Sequence, residues 1–263
     1  MYTKEALKKD LKKMGLNGTE AIMIHSSMKA IGEVEGGADT VVDALMEFFE
    51  EGLLMLPTHT WAQMSKEYST FDPATEPACV GILPNVFRGR EGVVRSLHPT
   101  HSIAAYGKEA AEYIKGEENA TTPCPPGGCW DRLREVNGKI LLIGVTHGRN
   151  TFIHSVDEAL GVKDRLTDEP TLMHIVMPDG SRKDVEMHRH YSRIIGSGGF
   201  SDHFDKLKQA FYDLGAAKEV KFGDADCILC DARGIYEVCK KIFAIEENCI
   251  IERDVIPQEW WKE

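Results

Sequence analysis

Four short apolar runs, each breaking into a polar cluster, constrain this chain more than any other feature. They are IMIHSSMK from Ile22, LMLPTHTW from Leu54, VVRSLHPTHS from Val93 and LLIGVTHGRNTFIH from Leu141. A short apolar run bounded by turn residues reads as a buried strand. Helical patterns separate these runs, and strands alternating with helices predict an α/β fold with at least some parallel strands. In an open α/β sheet, ligands collect beyond the carboxyl ends of the strands. Parallel strands would therefore gather His25, Ser26, Ser27, Thr58, His59, Arg95, Ser96, His98, His101, His147 and His154 at one rim.

The remaining segments fit that frame. A first helix is expected from Thr3, as N-cap, to Gly15, a helix-ending glycine. A second is expected in ADTVVDALMEFFEEG, with Val41, Leu45 and Phe48/Phe49 on its apolar face. The stretch QMSKEYSTFDPATEPACVG reads as a long surface loop, and TTPCPPGGCW as a rigid turn. After Gly161 the texture changes: TLMHIVMPDGSRKDVEMHRH reads as a hairpin turning at PDGS. DHFDKLKQAFYDLG and DARGIYEVCKKIFA read as amphipathic helices with strands between them. No repeat or flexible linker interrupts the chain. The expectation is one domain over residues 1–263, any two lobes meeting near residue 161 and sharing an interface.

Bulk properties narrow the function classes. A formal charge of −11 argues against a nucleic-acid backbone as partner and is compatible with a cationic small molecule. No apolar run is long enough to span a membrane. The opening MYTKEALKKDLKKMG is amphipathic and lacks the apolar core of an export signal. Seven scattered cysteines favour a reduced, cytoplasmic protein over a disulfide scaffold. Cys227 and Cys230 form a CxxC with no second pair to complete a zinc site, so both read as buried strand residues.

No GxGxxG follows a strand, and neither GxxxxGK[ST] nor GxSxG occurs. A phosphate-bearing cofactor would need another device, such as the backbone amides of SSMKAIG with Lys29 and Arg95 nearby. The segment NTFIHSVDEA offers chemistry of its own. If a helix starts near Asn150 or Thr151, Asp157 and Glu158 lie three and four residues beyond His154, on its face. A carboxylate beside an imidazole fixes its tautomer and raises its basicity, the arrangement of a general base. A plain capped helix with a solvated acidic turn fits the same spacing. HPTH with His147, His154 and Asp157 could also supply zinc ligands, although proline makes HPTH a turn and no HExxH occurs.

With these residues assembled, the chain resembles the aminoglycoside 3-N-acetyltransferase family from about Thr3 to Ala244. The motifs that carry the likeness are IMIHSSMKAIG, LMLPTHTW, FDPATEPACVGILPNVFR, GVVRSLHPTHSIAAYG, GKILLIGV and NTFIHSVDEA, in that order. The resemblance implies a layered α/β/α fold of that family's type rather than the GNAT type. It also implies acetyl transfer from acetyl-CoA, without a metal, to an amine of an aminoglycoside, the 3-N position. His154 would be the base. The family carries glutamate three residues after this histidine where this chain has Asp157, so either Asp157 or Glu158 would be its partner. Thr58 or backbone amides would stabilise the oxyanion. Coenzyme A would use the side of the rim with His25, Ser26, Ser27, Lys29, Arg95 and Ser96, and the acceptor the side with Asp72, His98 and Glu158. Acidic groups in the acceptor cleft would gather the polycation. Competing possibilities are another amine acceptor, a cysteine-dependent acyltransferase or hydrolase using Cys124 or Cys129, a metal-dependent hydrolase, and a binding module without turnover. An oligomer is compatible with the sequence.

Overall fold

The structure is a computed structural model and describes residues 1–197 and 199–262. Seven strands form the central sheet: β1 (Ala21–Ser26), β2 (Leu53–Pro57), β4 (Val94–Arg95), β5 (Ile103–Gly107), β6 (Lys139–Ile143), β9 (Ala217–Phe222) and β10 (Ala225–Asp231). Their spatial order is β4-β5-β2-β1-β6-β10-β9. A second sheet holds β3 (Thr70–Phe71), β7 (Thr171–Val176) and β8 (Arg182–Met187), in the order β3-β7-β8. Only the heart of the large sheet is parallel: β1 pairs in parallel with both β2 and β6. Outside this trio β5 runs antiparallel to β2, and β10 antiparallel to β6. The expected meeting of four parallel strand ends is thus corrected. The RSLHPTHS cluster reaches the rim as the turn between antiparallel β4 and β5.

Strand alternation divides the core into two layers. Ile22 and Ile24 of β1, Leu54 and Leu56 of β2, and Leu141 and Ile143 of β6 face one side. There they meet α1 (Lys4–Lys13), α2 (Gly37–Phe48) and α3 (Ile82–Phe87) through Leu7, Leu11, Val41, Leu45, Leu83 and Phe87. Met23, Met55, Ile140 and Leu142 face the other side. That side is covered by α4 (Ala110–Tyr113), α5 (Cys129–Glu135), α6 (Phe152–Leu160), α7 (Lys208–Asp213), α8 (Ala232–Phe243) and α9 (Cys249–Glu252). The result is the layered α/β/α arrangement that the family resemblance implied. Cys227 and Cys230, three apart on β10, fall into opposite layers, so they are core residues and not a ligand pair.

The local signals act as expected at several ends. Thr3 Oγ1 accepts from Ala6 N at 3.3 Å to open α1, and Gly15 takes φ +90° just past its end. The PDGS turn links β7 and β8, with Gly180 at φ +81°. The helix expected over DHFDKLKQAFYDLG begins as 3-10 turns, Phe200–Leu207, before α7. The long polar loop after β2 is anchored by Met64 and Phe71, which pack with Met173, Ile175, Val185 and Met187 into a small third cluster.

Candidate active site

The polar ends of β1, β2 and β6 and the β4–β5 turn open onto one cleft of about 930 Å³. Of the expected rim residues, His25, Ser26, His59, His101 and His154 line it. Trp130 at the start of α5, fully buried, backs the imidazoles, with His25 at 5.8 Å and His59 at 5.3 Å between ring centroids. Trp130 Nε1 donates to His101 O at 3.0 Å, which ties α5 to the β4–β5 turn. His59 Nε2 and Thr151 Oγ1 lie 3.0 Å apart. Thr151 therefore bonds across the cleft, and neither Thr151 nor Asn150 caps α6 with its side chain, contrary to expectation.

Burial is the main cause that keeps these histidines uncharged. It pushes His25 down to about 3 and His59, His101 and His154 well below the ordinary value; neighbouring histidines add to this for the last three, with Arg95 also acting on His59 and Arg165 on His154. His154 Nδ1 is buried without a hydrogen-bond partner. The ring stacks on His190, with centroids 3.9 Å apart and planes at 21°. Phe200 and Phe204 close on it edge-wise, each at 4.9 Å. His190, just beyond β8, was missed from sequence. The signal available was MHRH, three basic residues crowded after a strand.

Neither carboxylate after His154 hydrogen-bonds to it. Asp157 is 1% exposed and pairs with Arg165 Nε at 3.3 Å, beneath the helix. Burial raises the Asp157 carboxyl to about 7 despite that guanidinium. Glu158 accepts from Thr122 Oγ1 and from Cys124 N, at 2.8 Å for the latter, and its Oε1 lies 3.5 Å from His190 Nε2. The carboxylate on α6 thus faces His190 instead of the expected His154. Cys124, Glu158 and His190 bring ligand-type atoms within 4.8 Å of one another. Burial raises the Cys124 thiol well above its ordinary value, and both Glu158 oxygens already accept hydrogen bonds. Glu158 is therefore held by the Thr122 hydroxyl and the Cys124 amide, with His190 Nε2 beside it and without a hydrogen bond.

Several expected site residues lie behind the cleft wall. Arg95 Nε donates to Thr58 Oγ1 and Ser102 Oγ, Nη1 to Pro73 O and Glu76 O, and Nη2 to Thr58 O. Its guanidinium also lies 5.0 Å from the Phe71 ring centre. Every donor nitrogen is thus committed to protein, which corrects its assignment to a phosphate. Thr58 is fully buried and its hydroxyl is shared between Ser102 and Arg95, so it is not a free oxyanion donor. Ser96 Oγ accepts from Ile103 N at 3.0 Å. His98 Nδ1 accepts from the Thr100 and His101 amides and its Nε2 donates to Thr122 O, so it builds the turn. Asp72 accepts from Ala74 N and Thr75 Oγ1 in a local turn. His147 packs on Phe211, 4.9 Å between centroids. Ser27 and Lys29 lie in and beside the 3-10 turn after β1, outside the lining.

The charge of the cleft differs from expectation. The lining includes Arg149, Arg189 and one carboxylate, Asp202, which sits 3.5 Å from Arg149 Nη1. Arg189 donates to the carbonyls of Met64 and Trp61. Among the described residues, then, the −11 charge is not concentrated in this cleft. No helix among them is long and apolar enough to cross a membrane.

Comparison with known proteins adds an independent finding. The family model described as aminoglycoside 3-N-acetyltransferase matches residues 23–244. Aminoglycoside N(3)-acetyltransferase VII of Streptomyces paromomycinus is 28% identical, over 89% of this chain and 89% of its own. A solved AAC(3)-IVa variant in complex with a gentamicin superposes with a TM-score of 0.81 at 23% identity, over 96% of this chain and 92% of that one. AAC-IIIb with CoASH gives 0.76 at 22% identity, over 90% and 94%. At such identities the two structural likenesses show the shared fold.

Proposed function

The chain belongs to the aminoglycoside 3-N-acetyltransferase family, a family of acyltransferases, and on that premise we propose that it transfers an acetyl group from acetyl-CoA to an amine of an aminoglycoside, at the 3-N position, with His154 as general base. The observation that carries this is the placing of a neutral His154 on the wall of the cleft. Its Nδ1 side is buried and unpartnered, which leaves Nε2 for the reacting amine. The amine nitrogen attacks the thioester carbonyl carbon, forming the C–N bond. The adduct nitrogen is then cationic and far more acidic than the free ammonium, so an imidazole of low basicity suffices to take its proton. Collapse breaks the C–S bond and expels the coenzyme A thiolate, which accepts the proton from His154. With Thr58 committed to Ser102 and Arg95, the oxyanion falls to other donors lining the cleft. His25 and Ser26, with Ser27 and Lys29 beside them, are the candidates left for coenzyme A.

One observation favours a second acceptor class. The only carboxylate lining the cleft among the described residues is already beside Arg149, so nothing there is spare to collect a polycation. An acceptor with fewer positive charges fits that lining better. Incubation with acetyl-CoA and a panel of gentamicin, sisomicin and simple monoamines, followed by NMR of the products, separates the two. Acetyl on the 3-amine of either antibiotic supports the first reading. Acetylated monoamine with untouched antibiotics would move the acceptor and keep the chemistry. No acetylated amine at all would overturn both.

A further inference from the structure

A general-base histidine ordinarily gives its second N–H to a carboxylate or carbonyl, which carries part of the charge formed when it is protonated. His154 lacks that support, because its Nδ1 is buried with no partner. Asp157 is turned away into its pair with Arg165, and Glu158 is held by Thr122 and the Cys124 amide. The other titratable groups acting on the ring are His190, His59, His101 and Arg165, none of them an anion. What does meet the ring, face to face at 3.9 Å, is His190. His190 Nε2 is itself buried without a hydrogen bond and sits 3.5 Å from Glu158 Oε1.

We propose that His190 is a positioning residue for His154: its ring, steered by Glu158, presents the π face that supports the imidazolium formed when His154 takes the acceptor's proton. The inference rests on His154 being the base. A cation within about 6 Å of an aromatic face is held more tightly when both are removed from water, roughly tenfold to thirtyfold in equilibrium terms. Two cations at 3.9 Å would repel, so the face supports the imidazolium only while His190 itself carries no charge. Through this contact Glu158 acts on the base indirectly, by fixing the ring that faces it. That also accounts for a helix that spends its two carboxylates elsewhere.

The test compares His190→Phe, which keeps an aromatic face and burial, with His190→Leu, which keeps burial alone. The first readout is an NMR titration of the His154 ring in the free enzyme, assigned by the signal lost in His154→Gln. The midpoint in His190→Phe is expected close to wild type and that of His190→Leu about one pH unit lower, a tenfold change. Equal midpoints in the two variants would overturn the proposal. So would a midpoint in His190→Phe far above wild type, because it would mean that His190 is the charged ring and repels its neighbour. The second readout is turnover with acetyl-CoA and gentamicin. His190→Leu should lose about tenfold or more in kcat and His190→Phe less than about threefold, with KM for acetyl-CoA unchanged in both. If wild type does not turn over this acceptor, the proposed acceptor fails, and the titration still decides the role of His190.

Discussion

Arg95→Met separates a structural arginine from a cofactor-binding one. Methionine keeps an apolar stem against Phe71 and removes every donor. Pro73 O and Glu76 O then lose their guanidinium bonds, while Thr58 O keeps the Ser102 hydroxyl at 2.8 Å. Two stranded carbonyls at roughly 1–3 kcal/mol each give a cost of about 2–6 kcal/mol, before the lost bonds to Thr58 and Ser102 are added. The unfolding entropy of about 2.1 cal/mol/K per residue near the midpoint makes about 0.55 kcal/mol/K for 263 residues. The thermal midpoint should therefore fall by about 4–11 °C, read by circular dichroism. Steady-state assays below the transition should show KM for acetyl-CoA within about twofold of wild type, because the guanidinium faces carbonyls and not the cleft. A midpoint within about 2 °C of wild type, together with a tenfold rise in that KM, would refute the assignment of Arg95 to the frame.

Two further outcomes follow from the buried titratable groups. Burial lowers His147 to about 4 in the fold, so between about pH 6.5 and 4 the unfolded chain takes up a proton that the folded chain does not; stability is present above that window and lost as pH falls through it. Urea melts of His147→Gln should show about 2 kcal/mol less loss between pH 7 and pH 5 than wild type, and an equal loss would contradict the neutral state of His147. Cys124→Ala and Cys129→Ala should retain turnover within about threefold, because burial lifts both thiols well above their ordinary value; mass spectrometry of quenched wild-type enzyme should show no acetyl group on either, and a stable acetyl adduct there would favour the cysteine route.

Strand-length apolar runs, the Thr3 cap of α1 and the PDGS hairpin were legible in the sequence because each depends on neighbours within a few residues. Strand direction was not, since β5 and β10 are runs buried almost without alternation, as parallel strands usually are, yet pair antiparallel with β2 and β6. The roles of Arg95 and Thr58 were misread for a related reason. A basic side chain at a strand end resembles an anion ligand until the loop carbonyls of Pro73 and Glu76 are brought against it. For Asp157 and Glu158, helical spacing puts both near His154. What divides them is Arg165 below the helix and the Thr122–Cys124 loop above it, both placed by tertiary contacts. His190 went unread, despite the MHRH signal, because it comes from a hairpin that reads as a peripheral feature. Only tertiary packing sets it against His154, in the first turn of α6.

The most direct measurement of the central claim is the rate of thiol release from acetyl-CoA at saturating acceptor, for wild type and His154→Gln matched in thermal midpoint. General-base removal predicts a fall in kcat of about 10²–10⁴ with little change in KM for acetyl-CoA. A variant that turns over at the wild-type rate would contradict the assignment of His154 as the base.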